Sequence, residues 1–241
     1  MGPTKGDIMT EHRIVSEEEW TAARKALLVK EKEFTRARDA LGALRRELPW
    51  MKVEKGYSFE GRSGTRTLPE LFDGRSQLVV YHFMFDPSWD AGCRHCSFWA
   101  DSFDPSVVHL KHRDATLVAV SRAPYAKLAA YQKRMGWSFD WLSSGGTDFN
   151  VDRGVAFSPD EVAKKRAVYN FTVQDPRAPE REGVSIFIKD GTGSVYLTYA
   201  AFARGIDLLN TAYNYLDLLP KGRDEGDRGP FWVRRHDEYG D

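Results

Sequence analysis

The run SQLVVYHFMF (76–85) is apolar on both of its faces. A strand with that pattern cannot leave one side to water, so it belongs inside a sheet covered on both faces, as the strands of parallel sheets are. A second such run, ATLVAVS (115–121), follows after the helical stretches CRHCSFWADSF and PSVVHLKHR. A strand, a crossover helix and a strand form a right-handed parallel unit. PYAKLAAYQKRMG (124–136) then reads as a helix, with Pro124 at its start and Gly136 just past its end. GVSIFIKDGTGSVYLTYA (183–200) reads as a hairpin about Asp190 and Gly191. AFARGIDLLNTAYNYLDLLP reads as a closing helix with Leu208, Leu209, Ala212, Tyr215, Leu216 and Leu219 on one side.

The order βαβ then ββα predicts an α/β domain with a central mixed sheet, which is a thioredoxin-like order. This domain is expected over residues 50–220. YSFEGRSGTRTL (57–68) reads as an accessory hairpin turning at Gly61, Ser63 and Gly64, and residues 137–182 read as an irregular insertion. The charged tail 221–241 carries an aromatic patch and is expected to pack on the domain. Residues 1–15 read as a disordered lead. Between lead and domain, 16–49 reads as a long helical arm. Ser16 and Glu19 make a capping box, and Trp20, Leu27, Phe34, Leu41 and Leu48 recur every seven residues. Ala23, Ala37 and Leu44 fill the offset of three, Lys30 breaks that second row, and Pro49 stops the helix. The apolar seam is narrow, so the arm is expected either to lie on its own domain or to embrace a second subunit as a homodimer.

At 41% hydrophobic and 13% aromatic residues, a chain of this length builds its core without staples. Lysine plus arginine equals aspartate plus glutamate at 35 each, which argues against nucleic acid or an anionic membrane as partner. The N-terminal residues hold no apolar stretch of the signal-peptide kind, and no window approaches the roughly 20 apolar residues of a membrane span. A cytoplasmic location is expected, where a disulfide is usually catalytic or regulatory.

The chain has two cysteines, and they stand three apart in DAGCRHCSFWAD (90–101). In the expected topology Cys93 falls between the end of a strand and the mouth of a helix, where exposed amides favour a thiolate. Arg94 and His95 between the cysteines push the same way. Cys93 is then the attacking thiolate and Cys96, one turn in, the resolving thiol. Trp89, Asp90 and Trp99 bracket the pair; the tryptophans are expected to pack, one of them flooring a substrate groove. Asp86 and Asp90 read as turn formers that could also take a proton from Cys96. His82, inside the apolar strand, reads as a hydrogen-bonded core histidine, with a proton relay as its functional alternative. Cys93, Cys96, His109 and His112 form a weaker zinc alternative, because the histidine pair is one residue tighter than finger spacing. No cofactor is expected.

The segments FDGRSQLVVYHFMF, GCRHCSFWADSFD, TLVAVSRAPYAKLAAYQKRMGW, GVSIFIKD, TYAAFARGIDLLNTAYNYLDLLPKGRDE and WVRRHDEY, together with the arm, resemble the thioredoxin-like domain-of-unknown-function family numbered eight-nine-nine. The resemblance runs from about residue 12 to the C-terminus. It implies a thioredoxin-like fold and a redox role, with Cys93 and Cys96 matching the family's cysteine pair. Relatives often carry proline just after the first cysteine, where this chain has Arg94. Thioredoxins proper place a cis-proline ahead of the third core strand; the corresponding Gly183, Val184 and Ser185 include none, which argues against general protein-disulfide exchange. Peroxiredoxins place threonine three residues before their peroxidatic cysteine, where this chain has Asp90. Tyr196, Thr198 and Tyr199 form a hydroxyl cluster on a strand expected near the site, and strand packing accounts for them equally. The leading expectation is a thiol–disulfide oxidoreductase acting on a small-molecule or protein disulfide. The alternatives are a non-catalytic dimeric or redox-sensing protein and a metal-binding protein on the same scaffold.

Overall fold

The computed structural model describes residues 12–240, and residues 1–11 of the expected lead lie outside them. The chain divides between Leu48 and Pro49 into two compact units. The first holds helix α1, Glu17–Arg46. Ser16 and Glu19 complete the expected capping box, three glutamates fill the first turn and Arg45 and Arg46 the last, each complementing the helix dipole. No residue of α1 is buried.

The second unit is built from strands β1 (Met51–Lys52), β2 (Ser58–Gly61), β3 (Gly64–Thr67), β4 (Gln77–His82), β5 (Ala115–Ser121), β6 (Asp140–Ser143), β7 (Ala167–Tyr169), β8 (Thr172–Gln174), β9 (Gly183–Lys189) and β10 (Val195–Phe202). Its helices are α2 (Arg94–Ala100), α3 (Asp104–His112), α4 (Tyr125–Met135), α5 (Phe149–Asp152), α6 (Pro159–Ala163) and α7 (Thr211–Leu216). Eight strands form one sheet in the order β1-β10-β9-β4-β5-β6-β2-β3, and β7 pairs with β8 separately. β4 and β5 run parallel, β9 is antiparallel to β4, and β10 is antiparallel to β9. The four inner strands β10-β9-β4-β5 are therefore the thioredoxin-like core, and the fold is a thioredoxin-like α/β fold.

The two-faced pattern of the central strand is used as its sequence demands. Tyr81 and Phe83 enter a core layer with Cys96, Trp99, Leu128, Tyr131 and Trp141, whereas Leu78 and Val80 enter the opposite layer with Leu71, Phe72, Val118, Phe149 and Phe187. Two segments depart from the sequence-based expectation. Within 137–182, β6 extends the sheet beside β5 and carries the β2–β3 hairpin at its far edge. Four residues around buried Trp141 and Leu142 are too short a period to separate from irregular chain before their neighbour is known. The closing helix is also interrupted. β10 runs on to Phe202, a 3-10 turn occupies Ala203–Leu209, and Asn210 restarts the chain as α7 by accepting from the Tyr213 amide at 3.0 Å. Ile206 and Tyr213 are the buried residues there, while Leu208, Tyr215 and Leu219 are exposed, so the predicted single apolar face does not form.

Candidate functional site

Both cysteines are held by Met84, two residues beyond the end of β4. The Met84 carbonyl accepts from the Cys93 amide at 3.0 Å, and the Met84 amide donates to Cys96 Sγ at 3.4 Å. Cys93 is the N-cap residue of α2. Cys93 is partly exposed, Cys96 is buried, and the two are not bridged. Gly92, just before the pair, has no room for a side chain: a Cβ there would stand 2.8 Å from Phe83 Cε1. Ser97 Oγ donates to the Cys93 carbonyl at 2.9 Å and meets Tyr131 Oη at 2.9 Å.

The two thiols differ in acidity by construction. Hydrogen bonding from the Cys96 thiol holds the Cys93 thiol well below its ordinary value. His95 and the Cys96 amide push the same way, and burial opposes them. Burial raises the Cys96 thiol well above its ordinary value, and its hydrogen bond to Cys93 and the charge there add to this. The Tyr81 hydroxyl lies against Cys96, is pushed up by burial and by that neighbour, and completes no well-aligned hydrogen bond.

The sulfurs open onto a cleft of about 920 Å³. Its floor includes Tyr81, Met84 and Trp99, and its walls come from residues 177–182, 203–207 and 223–230. The third wall is the C-terminal tail, which is tied to the cysteine loop itself. His95 Nε2 meets the Pro230 carbonyl at 3.3 Å; a carbonyl only accepts, so Nε2 carries the hydrogen in that bond. Arg235 donates to the Gly92 carbonyl at 2.8 Å and to Tyr131 Oη at 2.7 Å, and His236 meets Asp101 at 2.6 Å.

Of the expected site residues, the structure brings Cys93, Cys96, His95 and Trp99 to the cleft. Trp99 donates its indole hydrogen to the Ile206 carbonyl at 2.9 Å. Trp89 packs against the core layer beneath the loop, Asp90 is exposed, and neither they nor Arg94 line the cleft. Asp86 is a turn former, accepting from the Ser88 amide and hydroxyl at 2.9 and 2.6 Å. His82 is buried in the layer opposite the cysteines, bonded through Nε2 to Ser185 Oγ at 2.8 Å, and burial lowers it to about 3. That placement gives it no relay to the pair. His109 and His112 are exposed on α3 and away from the cleft, and no cluster of three or more metal-ligating side chains occurs among the described residues. The zinc alternative is thereby withdrawn: one helix turned outward separates its two halves. Tyr196 bonds Asp190 at 3.0 Å and Thr198 the Ile186 carbonyl at 3.2 Å, so these hydroxyls stabilise the hairpin and do not line the cleft.

Sequence inspection missed the acidic segment ahead of β9. Glu182 lines the cleft, and its charge is felt by both Cys96 and Tyr81. Glu180 is 1% exposed, and both of its carboxylate oxygens lack a hydrogen-bond partner. Arg122 stands 3.6 Å from Glu180 and 3.5 Å from Asp86. Burial pushes the Glu180 carboxyl up to about 8; the Asp86 and Cys93 charges add to this, and Arg122 and the nearby Phe85 amide, which completes no well-aligned hydrogen bond to it, oppose it. The usable signal was topological. In this fold the entry to β9 sits beside the cysteines, and two glutamates in EREG precede it.

The profile of the family described as bacterial protein of unknown function (DUF899) matches residues 9–239. The chain belongs to that family. No curated protein matches it. Among solved structures, the peroxidoxin BcpB from Mycobacterium tuberculosis is similar at 14% identity, over 66% of this chain and 94% of that one, with a TM-score of 0.43. A peroxiredoxin Q from Xanthomonas campestris is similar at 14% identity over 68% and 91%, TM-score 0.43. The mitochondrial 2-cys peroxiredoxin from Plasmodium falciparum is similar at 11% identity over 70% and 94%, TM-score 0.40. No helix among the described residues is long and apolar enough to cross a membrane.

Two outcomes follow from this geometry. Iodoacetamide is expected to modify Cys93 alone at neutral pH, with a rate that reaches its plateau at lower pH than a free cysteine's, while Cys96 stays unmodified. Mass mapping that finds both thiols modified together would contradict the assignment. Glu180 binds a proton in the folded chain up to about pH 8 but in the unfolded chain only up to about 4.5. Stability attributable to it is therefore lost as pH rises through that window. Glu180→Gln stays neutral, so its stability relative to the parent is expected to grow by on the order of 3 kcal/mol between pH 5 and 8.5 in urea titrations. A pH-independent difference would show that the carboxyl is not held protonated.

Proposed function

We propose that the protein is a cytosolic thiol–disulfide oxidoreductase with Cys93 as nucleophile and Cys96 as resolving thiol. The observation that carries this is the placement of the pair. A partly exposed, low-pKa Cys93 faces an open cleft, and a buried, high-pKa Cys96 lies one helical turn behind it.

The Cys93 thiolate attacks one sulfur of a substrate disulfide. The substrate S–S bond breaks, a Cys93–substrate disulfide forms, and one substrate thiolate leaves. Forming that bond removes the negative charge from Cys93, and with it one of the causes that keep Cys96 protonated. Cys96 then gives up its proton, for which Glu182 is the carboxylate in the same cleft, and attacks the Cys93 sulfur. The second substrate thiolate leaves, and the protein holds a Cys93–Cys96 disulfide. Two electrons have passed to the substrate, and an external dithiol reductant returns them.

We infer further that α1 pairs with a second copy of the chain. Trp20, Leu27, Phe34 and Leu41 recur at seven-residue spacing along α1 and are 60%, 54%, 69% and 48% exposed, which makes an apolar ridge along the helix. On that repeat Glu19 and Glu33 flank the ridge on one side, and Arg24 and Arg38 flank it on the other. A parallel pair of helices sets acid against base across the seam, whereas an antiparallel pair sets like charges together.

Mixing the reduced protein with bis(2-hydroxyethyl) disulfide and quenching with acid tests the redox assignment. The parent is expected to gain an internal disulfide, Cys96→Ser to stop as a Cys93 mixed disulfide, and Cys93→Ser to lose at least 100-fold in rate. Undiminished oxidation of Cys93→Ser would remove the mechanism. For the arm, sedimentation is expected to give twice the 27.5 kDa chain mass, falling to the monomer mass in a Leu27→Glu, Leu41→Glu double variant. A parent that sediments as a monomer overturns the pairing.

A further inference from the structure

The cleft over the cysteines carries a charge pattern that the electron-transfer chemistry does not use. Its volume, about 920 Å³, is that of a small-molecule site. The tail segment 223–230 that forms one wall is fastened in place. Glu225 accepts from Tyr213 Oη and from the Trp232 indole, each at 2.9 Å, and Pro230 is held by His95. This wall and Cys93 line the same cleft.

Most charges lining the cleft are already spent. Arg223 is paired with Asp207 at 2.8 Å and Asp217 at 2.7 Å, and its guanidinium lies 3.8 Å from the Tyr213 ring centre. Arg204 stands 3.4 Å from Asp207. Arg181 is 3.5 Å from Glu182 and stacks on Tyr169 at 4.4 Å. Two lining residues remain: Arg177 and Asp227 have side chains with no ion pair and no hydrogen bond among the described residues. One is a cation and the other an anion, both on walls of the cleft that ends on the two sulfurs.

We propose that the substrate is a small zwitterionic disulfide of the amino-acid type, its carboxylate received by Arg177 and its ammonium by Asp227, with its S–S bond delivered to Cys93. The proposal rests on the redox reading of the site. A guanidinium accepts a carboxylate through two parallel hydrogen bonds, and a free carboxylate is the matching partner for an ammonium. An uncharged disulfide meets neither group, and one with charge of a single sign meets only one of them.

The test is a charge series at one site. Reduced protein is mixed with bis(2-hydroxyethyl) disulfide (neutral), cystamine (cationic), dithiodiglycolate (anionic) and cystine (zwitterionic). Each second-order rate is divided by that disulfide's rate with dithiothreitol, which removes its intrinsic reactivity. The corrected rate for cystine is expected to exceed that for the neutral compound at least tenfold, with the compounds that carry charge of one sign between them. Arg177→Ala is expected to collapse the anionic-to-neutral ratio toward one and to lower the zwitterionic-to-neutral ratio to that of the cationic compound, and Arg177→Lys to restore part of both. Asp227→Asn is expected to collapse the cationic-to-neutral ratio. Equal corrected rates across the series, or ratios that survive both replacements, overturn the substrate assignment and leave the redox reading standing. No oxidation of the protein by any of the four overturns the redox reading, and the substrate assignment with it.

Discussion

One residue, Met84, anchors both cysteines through its backbone. Its carbonyl takes the Cys93 amide and its amide is directed at Cys96 Sγ. Two bonds from one residue, one at each end of the CxxC spacing, fix the start of α2 against the chain just beyond the central strand. The asymmetry of the thiols follows from this anchoring. Cys93 is left at the rim, where Cys96 and His95 surround it with donors, and Cys96 is turned beneath it into the core layer with Tyr81 and Trp99. Gly92 permits the close passage over Phe83 that brings the loop to this position.

Around that anchor the molecule places polar groups where burial changes their chemistry. The entry to β9 carries Glu180 into a closed space with Arg122 and Asp86, and it carries Glu182 to the cleft. A carboxyl buried in such a place prefers its neutral form. His82 shows the same rule with the opposite sign. It is buried on the other layer and bonded to Ser185, and it loses its proton far below neutrality. The tail makes a related contribution by covering one side of the cysteine loop. Its Arg235 spans the Gly92 carbonyl and Tyr131, so the cleft wall and the packing of α2 on α4 share one hydrogen-bond network.

Much of this was legible from the chain alone. The two-faced strands, the capped arm, the β9–β10 hairpin around Asp190 and Gly191, and the place of the cysteines at a strand-to-helix junction all follow from local periodicity and from turn residues of known preference. Three things were not legible. β6 is a short apolar piece whose identity depends on β5 lying beside it. The closing segment shows a helical period, but Asn210 and the extension of β10 divide it, because Ile206 and Tyr213 are the side chains with core to fill. Arg94 and Asp90 sit next to the cysteines in sequence yet line no part of the cleft, whereas Glu182, Arg177 and the tail residues are distant in sequence and do.

The sequence by itself determined the α/β architecture and the order of the core strands. It also determined the place of the cysteine pair at a strand-to-helix junction, since these depend on periodicity, helix capping and a spacing of three within one helical turn. The tertiary structure alone decided which cysteine is exposed, which carboxyls are buried, and that a C-terminal tail and the entry to β9 wall the sulfurs into a cleft. Burial and charge proximity are properties of neighbours far apart along the chain, and only the closed fold brings those neighbours together.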